Sequence, residues 1–164
     1  MKQVDVLIVE DEEPKFIHLE KYLNELGNNL KITNARSVDS ALNALEDNTP
    51  DLLILDMSLP TFDITDNEAG GRPQGFGGTE ILRTMSVEDM ECPTIVITGY
   101  PAFQKETGKT VKLDELSQEL KKEFPKFLKG ILHFNSTFSE WRVSLKRILE
   151  EEGLLKEINE NINS

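Results

Sequence analysis

The chain has 164 residues, 38% of them hydrophobic, with a formal net charge of −12 at pH 7. That length suits one domain with a sizeable core, and the acidity argues against binding to nucleic-acid phosphates or to an anionic membrane surface. Cys92 is the sole cysteine, which excludes an intrachain disulfide, and no run approaches the ~18 consecutive apolar residues of a membrane span.

The first residues hold a short apolar run that turns acidic, without the longer apolar stretch and cleavage site of a signal peptide. With the single cysteine, this leads to the expectation of a reducing, cytoplasmic setting.

Strand and helix patterns alternate along the chain. Val4 to Val9 is an apolar run that stops at Glu10-Asp11-Glu12, as a buried parallel strand does. Pro14 suits the first turn of a helix. Phe16, Leu19, Leu23 and Leu26 then recur at helical spacing, and Gly27 closes the pattern as an expected C-cap. His18 is read as a surface residue. Leu30 to Ala35 forms a weaker strand, and Ser37 is the expected N-cap of a helix carrying Val38, Ala41, Leu42 and Leu45.

The run Leu52 to Leu55 stops at Asp56. The rhythm then breaks over residues 59–78, where five of the ten glycines fall between 70 and 78. That is long for a strand-to-helix connection. A helix resumes at Thr79 with Ile81, Leu82 and Met85 inward, and the strand Pro93 to Thr98 follows.

Tyr100 to Thr110 is polar and reads as loop. Leu113, Leu116, Leu120, Phe124 and Phe127 mark a helix whose end Pro125 shortens. Gly130 to Phe134 reads as the fifth strand. Ser139 is the expected cap of a last helix with Trp141, Leu145, Ile148 and Leu149 on one face, and Leu154, Leu155, Ile158 and Ile162 continue an amphipathic tail.

Strict alternation predicts an α/β fold: a doubly wound, five-stranded parallel sheet with right-handed crossovers and flavodoxin-like order 2-1-3-4-5. The expected organisation is one domain over 1–164, with insertions at about 61–77 and 101–115 and a helical tail at 152–164. In such sheets ligands bind beyond the carboxyl ends of the strands. Two acidic clusters and the Thr98 hydroxyl would meet there, a set suited to a divalent cation and a phosphoryl group.

These residues resemble the receiver domain of two-component response regulators. Val6 to Glu12 looks like the first strand and acidic pair, and Asp51 to Pro60 looks like the phosphoacceptor segment, with Asp56 as acceptor. Ile95 to Tyr100 looks like the fourth strand with its switch hydroxyl, and Gly77-Gly78-Thr79-Glu80 resembles the glycine-led start of the third helix. The resemblance implies Mg²⁺ ligated by Asp11, Asp56 and the Ser58 backbone carbonyl, with Glu10 acting through water and Thr98 bonding the phosphoryl group. It implies a stand-alone receiver, phosphorylated on Asp56 by a histidine kinase or phosphotransfer protein. Output passes to a downstream protein target by contact, with neither nucleic acid nor membrane involved. Self-phosphorylation and autodephosphorylation would be its only chemistry, not substrate turnover.

One departure stands out. Receivers carry a Lys-Pro pair after the fifth strand, and here Ser136 and Thr137 take those positions. Serine supplies no charge, so the site is expected to lack its fixed cation unless Arg72, Lys105 or Lys109 replaces it. His133 stands where receivers often carry an aromatic switch. The Gly-rich insertion leaves from the site end of the sheet, where a lid would sit. The alternative function is a degenerate receiver acting as a phosphorylation-independent interaction module. A haloacid-dehalogenase-type phosphatase is disfavoured, because Ser58 stands where its second acid is needed.

Overall fold

The computed structural model describes residues 2–63, 76–104 and 107–159. Most of the Gly-rich insertion, including Arg72, and also Lys105 and Ile162, lie outside the described residues.

Five parallel strands form the main sheet. They are β1 (Val4–Val9), β2 (Leu30–Ala35), β3 (Leu52–Leu55), β4 (Thr94–Thr98) and β7 (Leu128–His133). Their order is β2-β1-β3-β4-β7, the expected 2-1-3-4-5 once the strands of the sheet alone are counted. The three central strands read as continuous apolar runs because both of their faces are covered.

One face packs Leu7, Val9, Leu53, Leu55 and Val96 against α2 (Val38–Asp47), α3 (Gly77–Val87) and α4 (Leu113–Glu123). The other packs Val6, Ile8, Leu52, Ile54, Ile95 and Ile97 against α1 (Glu13–Leu26), α5 (Glu140–Glu151) and α6 (Leu154–Asn159). This alternation puts every other strand residue into a separate core.

Local signals hold in part. Ser37 caps α2 through a reciprocal box with Ser40, so two orphan N–H groups at the helix start are satisfied. Ser139 sits at the N-cap of α5 without a side-chain cap bond; the Asn135 side chain instead accepts from the Thr137 and Phe138 N–H groups. Gly27 is the C-cap residue of α1, as expected, with φ 169°, an extended conformation open to any residue. The reason for a glycine there is steric, because a Cβ would lie 2.5 Å from the Ile158 carbonyl oxygen of α6. His18 is half-buried, its ring 5.9 Å from that of Phe134, which corrects its reading as a surface residue.

The segment read as polar loop after β4 carries an antiparallel hairpin, β5 (Ala102–Gln104) and β6 (Thr110–Lys112). Its Phe103 and Val111 are buried in the core beside α4.

Candidate functional site

Strand register sets the site. Val9 pairs with Leu55, and Leu55 with Val96. Glu10, Asp56 and Ile97 therefore follow at one level on three adjacent strands. The Asp56 N–H donates to the Val9 carbonyl at 3.1 Å, which holds the two acidic strand ends together.

Glu10, Asp11 and Asp56 each offer a carboxylate oxygen, and these atoms lie within 4.8 Å of one another. Glu10 and Asp56 are buried and Asp11 is half-buried. Carboxylates this close repel one another, and burial in low dielectric disfavours their charged forms. Burial pushes the Glu10 carboxyl up to about 7, with Lys15 opposing the rise and Asp56 adding to it. Burial also raises Asp11, with its own backbone N–H opposing and Asp56 adding. A compact set of hard oxygen donors carrying unfavourable negative charge fits a divalent cation of the Mg²⁺ type.

The β3–α3 turn fixes the acceptor carboxylate. The Met57 N–H donates to Asp56 Oδ1 at 2.9 Å. The Gly78 N–H, at the start of α3, donates to the Met57 carbonyl at 2.9 Å. Ser58 follows in this turn and is half-buried.

Thr98 ends β4 one residue beyond the Asp56 level and is fully buried. Its Oγ1 accepts from the Tyr100 N–H at 3.4 Å. Tyr100 is exposed, and its phenol is raised by partial burial and then by the surrounding Glu12, Asp56, Asp11 and Glu10 carboxylates.

Ser136 is exposed in the turn after β7. His133 is also exposed, its Nε2 3.3 Å from the Gly99 carbonyl oxygen.

Among the described residues, the cation that meets the acidic cluster is Lys15. Lys109 is exposed, and Arg72 and Lys105 lie outside the described residues. Lys15, in the first turn of α1, is only 5% exposed. Its Nζ lies 2.5 Å from Glu10 Oε2, 3.2 Å from Asp56 Oδ1 and 2.6 Å from the Ile97 carbonyl oxygen. The ammonium thus donates to a carbonyl and pairs with two carboxylates at one level of three strands. The Phe134 ring centroid lies 5.9 Å from Nζ on the β7 side.

The sequence did hold a signal for this residue. Lys15, Leu19 and Leu23 recur at four-residue spacing and are the buried residues of α1, so Lys15 stands on the face turned to the sheet.

The response regulator receiver domain model matches residues 6–126. The chain belongs to the response regulator receiver family. This receiver is 26% identical over 148 residues to the Detocs response regulatory protein DtcB of Enterobacter cloacae (strain JD6301), a match spanning 88% of this chain and 98% of that protein. Among solved structures it resembles the response regulator protein TrrA of Thermotoga maritima in complex with Mg(2+)-BeF. That likeness has a TM-score of 0.57 and 21% identity, over 91% of this chain and 100% of that one. It also resembles a response regulator receiver domain protein of Methanospirillum hungatei JF-1, with a TM-score of 0.61 and 17% identity over 94% of this chain and 98% of the other. These structural likenesses speak for the fold. No helix among the described residues is long and apolar enough to cross a membrane.

Proposed function

We propose that this receiver accepts a phosphoryl group on Asp56 with Mg²⁺ and signals by protein–protein contact. The observation that carries the reading is the Glu10-Asp11-Asp56 carboxylate cluster at the carboxyl ends of β1 and β3. The resemblance to a receiver solved with Mg(2+)-BeF supports the choice of metal.

Asp56 is the nucleophile, held by the Met57 N–H. One of its carboxylate oxygens bonds to phosphorus as the bond from phosphorus to the donor breaks, and the donor leaves with that electron pair. Asp11, Asp56 and the Ser58 backbone carbonyl would hold the metal directly and Glu10 through water; when bound, the ion neutralises charge on the transferring group. The Thr98 hydroxyl, whose oxygen accepts from the Tyr100 N–H, then donates to a phosphoryl oxygen, which couples the site to the segment after β4. Ser136 occupies the usual lysine position and adds at most a hydrogen bond.

The phosphoryl donor in this reading is a histidine kinase or phosphotransfer protein, and the output is a downstream protein target in the cytoplasm. Residues 1–164 act as one receiver unit with insertions at about 61–77 and 101–115, the second of which alters the partner face. The competing reading, a phosphorylation-independent interaction module, draws on the burial of Asp56, which is only 4% exposed.

Incubation with Mg²⁺ and acetyl phosphate, followed by intact mass measurement, separates the two. The expected result is one added phosphoryl group, absent from Asp56→Asn and absent without Mg²⁺. An unchanged mass under all conditions would leave only the interaction module.

A further inference from the structure

Lys15 is placed against two physical preferences at once. A cation in the first turn of a helix opposes the positive end of the helix dipole, where acidic residues are favoured. A buried ammonium also carries a large desolvation cost, which ion pairs rarely repay in full. Residues that break local rules without a stability gain mark functional positions.

The geometry around Nζ indicates the function. Its partners are the carboxylates of Glu10 and Asp56 and the Ile97 carbonyl at the end of β4. It therefore lies at the mouth of the parallel sheet, against the nucleophile itself and on the side of the neighbouring strand that ends in Thr98. The Lys15 and Met57 contacts with Asp56 fall on the same oxygen, Oδ1. Phe134 stands beside the ammonium toward β7.

We propose that Lys15 is a catalytic residue of phosphoryl transfer, supplying from α1 the fixed ammonium that pairs with the Asp56 carboxylate and then with the phosphoryl group it receives. The proposal rests on Asp56 being the acceptor. As the Asp56 oxygen bonds to phosphorus, the donor's bond to phosphorus breaks and the donor leaves with that electron pair; the carboxylate becomes a neutral acyl group, and the negative charge left beside it is that of the phosphoryl oxygens. Nζ follows that charge from Oδ1 to a phosphoryl oxygen, while it stays paired with Glu10 and bonded to the Ile97 carbonyl. No proton is transferred and nothing is oxidised or reduced. The ammonium is desolvated beforehand, so it opposes the developing charge without reorganising water.

The test uses the full chain with Mg²⁺ and acetyl phosphate, and compares wild type, Lys15→Met, Lys15→Gln and the double variant Lys15→Met/Ser136→Lys. Phosphorylation rate, beryllofluoride affinity and Mg²⁺ affinity are measured on each, the affinities by calorimetry. Both single variants should be phosphorylated roughly 100-fold more slowly than wild type, a loss typical of removing one preorganised charge-stabilising donor. They should lose beryllofluoride affinity and keep Mg²⁺ affinity. The double variant, with its ammonium returned by way of the turn after β7, should recover at least about tenfold of the rate.

Lys15→Gln keeps a hydrogen-bonding head and removes only the charge, so it carries the comparison where Lys15→Met folds poorly. Phosphorylation of both single variants at a rate near that of wild type would overturn the role of Lys15 and leave Asp56 as acceptor. A loss of Mg²⁺ affinity equal to the loss of rate, with no recovery in the double variant, would overturn it in favour of a structural ion pair. A wild-type protein that takes no phosphoryl group would overturn the acceptor reading and this inference with it.

Discussion

A methyl group added at Gly78 would sit 2.5 Å from the Asp56 carbonyl oxygen and 2.9 Å from Met57 Cα. Both obstacles are backbone, so a side chain at this position has to push α3 away from the turn that holds the acceptor. Gly78→Ala should lower stability by about 1–3 kcal/mol, in the range of overpacking substitutions, and slow Asp56 phosphorylation through loss of the Gly78-to-Met57 bond. Urea unfolding checks the first effect, and the phosphorylation assay the second. Cys92 offers a test far from the site. Burial raises its thiol from an ordinary 9.0 to about 11, against a smaller opposing effect from a bond with Thr94. The folded state therefore keeps the thiol proton over pH values at which the unfolded chain releases it. Stability from this group is full below pH 9 and falls as pH rises toward 11. The difference in unfolding free energy between wild type and Cys92→Ala should shrink by about 2 kcal/mol over that interval. A pH-independent difference would sink the assignment. Lys15 shows what a residue-by-residue reading overlooks. Charged helix residues are almost never fully buried unless paired, and its partners come from strands that meet only in the folded chain.

The elements differ in how far their sequences announced them. β1, β3 and β4 were legible because each is an apolar run with a sharp polar stop, and those stops are Glu10, Asp56 and Thr98. The receiver's acidic cluster followed from the same runs, since parallel strands bring their carboxyl ends together. The β5–β6 hairpin was not legible, because three-residue strands such as Ala102–Gln104 and Thr110–Lys112 are too short to display a period. Their tertiary partners define them. Phe103 stacks near Phe76, with ring centroids 5.9 Å apart, and near Tyr100 at 6.3 Å. The hairpin thereby ties the residue preceding α3 to the segment that holds the Thr98 hydroxyl. Phe103→Ala should cost about 3–5 kcal/mol if the hairpin is an integral part of the core. Thermal or urea unfolding measures this, and a cost under about 1 kcal/mol would show that the hairpin rides on the fold without supporting it. The end of α1 was legible, but the reason for a glycine there was not. Gly27 is needed because Ile158, more than a hundred residues later, returns against it, and local sequence carries no trace of that approach.

Taken together, the molecule gathers part of its −12 charge at one end of its sheet, where a folded chain holds three carboxylates that an unfolded chain keeps apart. That repulsion opposes folding, and the Lys15 ammonium offsets only part of it. A divalent cation that binds the folded cluster and not the unfolded chain must stabilise the protein by mass action. At 100 times its dissociation constant the gain is about 2.7 kcal/mol. MgCl2 should therefore raise the melting temperature by several degrees more than NaCl at equal ionic strength, which screens exposed charges without entering the cluster. Asp11→Asn separates site binding from screening. It removes one carboxylate of the cluster, so the variant should be at least as stable as wild type without Mg²⁺, and should lose most of the Mg²⁺ increment while keeping the response to NaCl. Differential scanning calorimetry with MgCl2, matched NaCl and EDTA gives all of these comparisons. Equal responses of wild type and Asp11→Asn to MgCl2 would mean that the ion acts on general surface charge, and the acidic cluster would then not be the metal centre of this receiver.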